Sequence, residues 1–240
     1  MNINLKNFTI DLNDAEKKIS TKTAAIMPVH YAGNVGELDK IYKFAKDKRI
    51  LVIEDAAHAF GSKYKNKKIG SFGQISCFSF DGIKNITSGE GGCITSKDKK
   101  IISKAKDIRL LGVKKDSENR YLKKRTWEPK VQDQGWRYHM RDIMAAIGRV
   151  QLGRLEELSK KRKNLANKYD DLLLDCKEVF SFEFNYKDIN PHIYPILLGE
   201  NISRDFVKNE LRAQGIETGI HYFPNHLLDF FKTKKRVKLK

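Results

Sequence analysis

The apolar positions of this chain fall into short blocks, and the change of period from block to block marks its elements. Ala24 to Val29 is an apolar run of strand length. Gly33, Asn34 and Gly36 follow as a turn, and Asn34 is predicted to start a helix, because its side-chain oxygen can accept from the free N–H groups of a first turn. Leu38, Ile41, Tyr42 and Ala45 then recur at i, i+3, i+4 and i+7, one face of that helix. Ile50 to Ile53 is a continuous apolar run, too short for a helix and suited to a central parallel strand. Strand, helix and strand in this order make a βαβ unit.

Further on, Ile75 to Phe80 predicts a strand, and Gly92 to Thr95 another beyond a glycine-rich turn. Ile101, Ala105 and Ile108 predict a helix ending near Gly112. Lys114 to Asp133 carries seven Lys or Arg and no period, as a long surface loop would. Asp142 is predicted to cap a helix bearing Ile143, Ala146, Ile147 and Val150, continuing through Leu155 and Leu158. Leu165, Tyr169, Leu172 and Cys176 mark one more helix, and Ile193 to Leu198 a strand. Ser203 should cap a helix stopped at Gly215, and Ile216 to Tyr222 forms the last strand. Residues 1 to 23 predict no element. A boundary around residues 158 to 165 divides the chain into an α/β body with a mainly parallel sheet, residues 1–160, and a smaller α+β part, residues 161–240.

Composition changes this picture little, except in charge. Lys and Arg number 47 against 30 acids, a formal net charge of +17. Such an excess can mark a nucleic-acid surface. Here the lysines are scattered in pieces such as Lys97-Asp98-Lys99-Lys100, with no helix-turn-helix, zinc-finger or aromatic RNA-binding pattern, so no nucleic-acid partner is expected. A positive field would instead favour an anionic small substrate such as a nucleotide diphosphate. No stretch approaches the roughly 20 apolar residues of a membrane span, so no membrane partner is expected. Met1 to Lys6 lacks the apolar segment of a signal peptide. Cys77, Cys93 and Cys176 lie far apart, two of them in apolar runs, which predicts buried, reduced thiols, no metal site and a cytoplasmic protein.

The chemistry gathers at the ends of two predicted strands. Asp55 directly follows Ile50 to Ile53, and Lys84 follows Ile75 to Phe80 just before Gly89-Glu90-Gly91-Gly92. Functional groups of open α/β sheets collect at the carboxyl ends of strands. Each residue alone has a plainer explanation: Asp55 as a turn cap, Lys84 as a loop lysine, His58 as a satisfied core histidine. Lys84, however, stands among Gly82, Ile83, Asn85 and Ile86 rather than on a charged face, and burial makes a lysine a usable nucleophile. An amine and a carboxylate so placed suit pyridoxal phosphate (PLP): the amine bonds the aldehyde, and the acid keeps the pyridine nitrogen protonated. Ala57 is small enough for a flat ring to lie on, His58 could donate to the phenolic oxygen, and the Ser79 hydroxyl could reach the phosphate.

Taken together, the motifs resemble those of the DegT/DnrJ/EryC1/StrS family, PLP-dependent nucleotide-sugar aminotransferases of fold type I. The matching pieces are Pro28 to Asn34, Glu54 to Ala59, Gly70 to Gly73, Cys77 to Gly92, Asp142 to Gly148 with Gln151-Leu152, and Gly215 to Tyr222. The likeness is strongest to the branch that aminates C4 of a UDP-4-keto-pentose. The resemblance implies Lys84 as the Schiff-base lysine, Asp55 on the ring nitrogen, His58 near the phenolic oxygen, Ser79 on the phosphate and His221 facing the sugar. It implies a nucleotide-sugar substrate, glutamate as amine donor and a homodimer. Arg137 stands where many relatives place an asparagine that reaches the neighbouring subunit's cofactor phosphate. Relatives with histidine at the Lys84 position are dehydratases, so lysine there implies transamination. Such enzymes usually carry a longer N-terminal part and further C-terminal helices, so residues 1–160 are expected to be part of a large PLP-binding domain and 161–240 part of a small one. A relative that binds without turnover is the alternative.

Overall fold

The computed structural model describes residues 2–115, 119, 121–124, 128, 130–182 and 184–231. Helix α1 (Leu12–Glu16) precedes strand β1 (Ala25–Ile26), helix α2 (Leu38–Asp47) and strand β2 (Leu51–Asp55). A hairpin of β3 (Lys63–Tyr64) and β4 (Lys67–Lys68) leads to β5 (Ile75–Ser79) and β6 (Gly92–Thr95). Helices α3 (Lys99–Ile108), α4 (Asp142–Gly153) and α5 (Leu155–Leu173) follow, then β7 (Val179–Phe180), β8 (Leu197–Leu198) and α6 (Arg204–Ala213).

The main sheet has the order β1-β2-β5-β6. β1 with β2 and β2 with β5 run parallel, while β6 returns antiparallel to β5. The expected mainly parallel α/β sheet is therefore present, with β1, α2 and β2 as its βαβ unit. Leu38, Ile41 and Ala45 form the buried stripe of α2. They close on Ile26, Ile50 and Val52 toward one end and on Ala56, Ala59, Ile69 and Phe78 toward the other. Only one face of the sheet is covered in this way. Met27, Val29, Leu51 and Ile94 on the other remain about half exposed, so β2 is central in order but open on one side.

Beneath α2 lies a fully buried carboxylate, Glu54. His30 Nε2 stands 2.8 Å from Oε2, and the Tyr42 and Ser76 hydroxyls donate to Oε1 at 2.6 and 3.1 Å. Burial pushes the Glu54 pKa up, but the donors from His30, Tyr42 and Ser76 outweigh it, leaving the carboxyl below its ordinary value. The cluster joins the segment before Tyr31, α2, β2 and β5. A buried carboxylate with both oxygens bonded specifies one arrangement of the elements that supply its donors.

Several boundaries differ from expectation, each for a local reason. Helix α2 begins at Leu38, not Asn34, because the Asn34 side chain is spent on the turn itself: it accepts from Gly36 N–H and donates to the Asn7 carbonyl at 2.9 Å. Arg141, not Asp142, is the cap residue of α4. The predicted long helix breaks at Arg154, and α5 carries Leu155, Leu158, Leu165, Tyr169 and Leu172 in one piece, unbroken through residues 158–165; Cys176 lies beyond it. Ile193 to Leu198 shrinks to β8, since Pro195 has no N–H for a ladder. Ile216 to Tyr222 forms no strand among the described residues. The apolar stripe of α4 is not a core stripe, with Ile143 73% and Val150 66% exposed. Ser203 accepts from Phe206 N–H and Gly215 ends α6 in the left-handed region, both as predicted. The predicted loop from Lys114 to Asp133 lies partly outside the described residues; its ends meet in a Val113–Val131 bridge.

Two features had no sequence expectation. The β3–β4 hairpin turns on Lys65 and Asn66, both at positive φ, a conformation asparagine tolerates well. Residues 2 to 23 form an Ile3–Ile10 bridge and α1, whose cap Asp11 accepts from Asn13 and Asp14 N–H. The cysteines are unpaired, Cys77 and Cys93 half-buried and Cys176 exposed rather than buried.

Gly33 is the tightest joint between the body and the segment that follows α5. It sits at φ +93°, and a Cβ there would lie 2.4 Å from the Asn190 carbonyl oxygen. Gly33→Ala should therefore cost about 2 kcal/mol or more in urea unfolding, and an unchanged midpoint would deny that close approach. Glu54→Gln should cost about 2–4 kcal/mol near neutral pH. A carboxyl lowered in the folded state contributes stability above its unfolded pKa and loses it as pH falls through the folded value. Unfolding measured across that range should thus show the gap between wild type and Glu54→Gln narrowing in acid.

Candidate active site

Strand alternation sorts the residues of β2 and β5 onto two faces. Val52, Glu54, Ser76 and Phe78 are buried beneath α2, whereas Asp55, Cys77 and Ser79 are half-buried on the opposite face. Asp55 is paired with Cys77, and Ser79 with Gly92, so acid and hydroxyl lie on adjacent strands. Gly92 allows that pairing, because a Cβ there would meet the Phe78 carbonyl oxygen at 2.4 Å. The Asp55 peptide is held by N–H donation to Pro28 O and by acceptance from His30 N–H, each at 2.9 Å. One carboxylate oxygen accepts from Ala57 N–H at 3.1 Å, which is the plain turn-capping role. The other takes no protein donor among the described residues.

Lys84 sits in the loop from β5 to β6. Its N–H donates to Asp81 O at 3.1 Å, and the loop closes where Ser88 N–H and the Thr87 hydroxyl both reach Phe80 O. Asn85 and Ile86 are buried and Lys84 half-buried, while Gly82 and Ile83 are exposed. The lysine is therefore seated by its C-terminal neighbours. Met144 and Gly148 of α4 lie against Gly89 and Ser88, so this helix backs the turn that follows the lysine.

His58 feels both the acid and the amine. It is buried, and its pKa is pushed down to about 4, first by burial, then by the Lys84 ammonium and by His221, against the opposing pull of Asp55. The same imidazole thus feels Asp55, Lys84 and His221. Its ring lies 4.3 Å from that of His192, 6.0 Å from Tyr31 and 6.4 Å from His221. The Tyr31 hydroxyl donates to the His221 carbonyl at 2.9 Å, tying the far C-terminal segment to this group. Among the residues expected to act, Asp55, Ala57, His58, Ser79, Lys84 and His221 lie on these connected segments.

Arg137 does not join them. It is exposed, bridged through its backbone to Leu110, and no hydrogen bond or ion pair links it to the cluster among the described residues. Asn85, Asn190 and His192 were not expected. His192 follows a proline in a stretch without helical or strand period, so only its contacts reveal it.

These features define a fold-type I sugar aminotransferase architecture. Solved structures carry the same fold: a Helicobacter pylori aminotransferase involved in pseudoaminic acid biosynthesis matches at TM-score 0.90 and 30% identity, covering 100% of this chain and 64% of that one. A candidate sugar aminotransferase from Streptococcus pneumoniae, solved in its PLP form, matches at TM-score 0.83 and 28% identity, covering 97% and 63%. The chain belongs to the DegT/DnrJ/EryC1/StrS aminotransferase family, which it matches over residues 1–240. A curated relative, the UDP-4-amino-4,6-dideoxy-N-acetyl-beta-L-altrosamine transaminase of Campylobacter jejuni, is 35% identical over 240 residues. The match takes in 96% of this chain and 61% of that relative, so the chain spans less than two thirds of the proteins it resembles.

The residues present fit the family's cofactor, PLP. A half-buried primary amine and a carboxylate with a free oxygen act on one neutral histidine, whose buried Nδ1 lacks a protein partner. NMR titration of the cofactor-free chain tests this neighbourhood. His58 should stay neutral well below pH 6; Lys84→Ala should raise its midpoint, and Asp55→Asn should lower it further. A midpoint near 6.5 in all three proteins would mean that the groups do not share one field.

Proposed function

We propose that the protein is a PLP-dependent aminotransferase that transfers an amino group to the keto carbon of a nucleotide-linked sugar, with glutamate as the amine donor. The arrangement that carries this reading is Asp55 at the end of β2 and Lys84 in the loop after the neighbouring strand β5, with the buried His58 in the field of both. The bound cofactor supplies an electron sink that the protein's own side chains lack.

In this reading the Lys84 amine would hold the aldehyde, and its Nζ would serve as the general acid–base that takes up and returns the substrate's proton. Asp55, through the oxygen not used by Ala57, would hold a proton on the ring nitrogen; a charge-assisted bond of this kind is the stronger sort. Neutral His58 would donate one ring N–H to the phenolic oxygen. The Ser79 hydroxyl would donate to the phosphate, and Ala57 would leave room for the ring. His221, fixed by Tyr31, faces the sugar. The formal charge of +17 draws in a diphosphate-bearing substrate.

The reading also takes two copies of the chain as the working unit in the cytoplasm. Arg137 lies beside Trp136 and Tyr138, whose exposed rings stack at 8° and 6.1 Å. A guanidinium presented on such a surface suits the phosphate of a partner's site.

Purified protein given PLP should gain a visible absorption band, lose it on addition of glutamate, and recover it when a nucleotide-linked keto-sugar is supplied. Lys84→Ala should show no band and no transfer. A wild-type protein without the band, or a Lys84→Ala protein that keeps it, would remove the proposal.

A further inference from the structure

Asn190, Pro191 and His192 belong to the segment after α5, yet all three are buried against the Lys84 loop. Asn190 N–H donates to Ser62 Oγ at 2.9 Å and its side-chain amide to Phe60 O at 2.8 Å. Its carbonyl accepts from Asn85 Nδ2 at 3.2 Å, and the same nitrogen approaches Phe60 O at 3.4 Å. Farther along, His192 N–H donates to Ala32 O at 3.3 Å, and Arg162 Nη1 donates to His192 O at 3.1 Å. The strap is thus pinned to both sides of the site.

These bonds assign a tautomer. With the Asn85 amide nitrogen committed to two carbonyl oxygens, its Oδ1 can only accept, so His192 Nδ1, 3.1 Å away, carries the hydrogen. Nε2 is then a bare lone pair, buried and without a protein partner. Burial first, and then His58, Lys84, Arg162 and His221, hold this imidazole neutral, its pKa down at about 3. One ring therefore touches the side chain next to Lys84 and also packs on His58 at 4.3 Å.

We propose that His192 is a positioning residue: its Nδ1–H bond to Asn85 fixes the peptide that carries Lys84, while its ring backs His58. This rests on the reading of Lys84 and His58 as cofactor-handling groups. A merely structural side chain would respond to lost volume; a positioning one responds to which nitrogen is replaced. Asparagine can offer its amide near the place of Nδ1, glutamine near that of Nε2.

His192→Asn should therefore bind PLP within about twofold of wild type, whereas His192→Gln should bind roughly five- to tenfold more weakly, the worth of one buried hydrogen bond. The titration midpoint of the visible band should move by about one unit in His192→Gln and stay in place in His192→Asn. Circular dichroism and melting check that each variant is folded. In the cofactor-free protein, 15N NMR should find His192 as the Nδ1–H tautomer. An Nε2–H tautomer overturns the inference whether or not PLP binds, so it also decides the matter if a variant fails to fold. Wild-type binding of PLP with the two variants alike overturns the inference alone. A wild-type protein that takes up no PLP removes the functional reading and this inference with it.

Discussion

A fully buried carboxylate one residue before a half-exposed one sets the orientation of the site. Glu54 accepts from three donors on three other segments, and its place beneath α2 leaves no freedom to rotate the strand. Side chains alternate along β2, so with Glu54 locked inward, Asp55 must face the other side. A register slip of one residue would bury Asp55 under the helix and leave His30, Tyr42 and Ser76 without their acceptor. The polar cluster thus excludes the alternative pairing more strongly than the small apolar residues around it could.

The second constraint is the return of the chain after α5. The loop bearing Lys84 closes on its own turn bonds, but Asn85 beside the lysine is held by partners far away in sequence, Asn190 and His192. Ser62, Gly33 and Asn190 form the joint on the opposite side, where the absence of a Cβ lets two backbones meet. Asp55 with His58, then Lys84, then His192 are therefore brought together from three separate stretches of chain. The low proton affinity of His58 and His192 follows from that crowding, since each is desolvated beside a lysine and other histidines.

Much of this was legible in the residues. The period of Leu38, Ile41, Tyr42 and Ala45 and the runs at Ile50 to Ile53 and Ile75 to Phe80 located a helix and two strands, because burial against one neighbour imposes a period on the chain. Ser203 and Gly215 marked their helix ends because capping is a local matter of one oxygen or one left-handed residue. Asn34 misled for the same reason: an asparagine signals a local hydrogen bond but not which N–H it will serve. The exposed stripe of α4 and the short β8 show that an apolar pattern predicts an element without saying what, if anything, covers it.

The amino-acid order alone determined the chemical groups on offer, the strand ends that bear Asp55 and Lys84, and the family to which the motifs belong, since each depends on residue type and short-range spacing. It could not say that Asp55 faces away from α2, that His58 feels both acid and amine, or that Asn190 and His192 close on the lysine loop. The first depends on the partners of Glu54, 12 to 24 positions away, and the last on contacts more than 100 positions apart, such as His192 with Asn85. Only packing brings such residues together, because no local preference records a partner that distant.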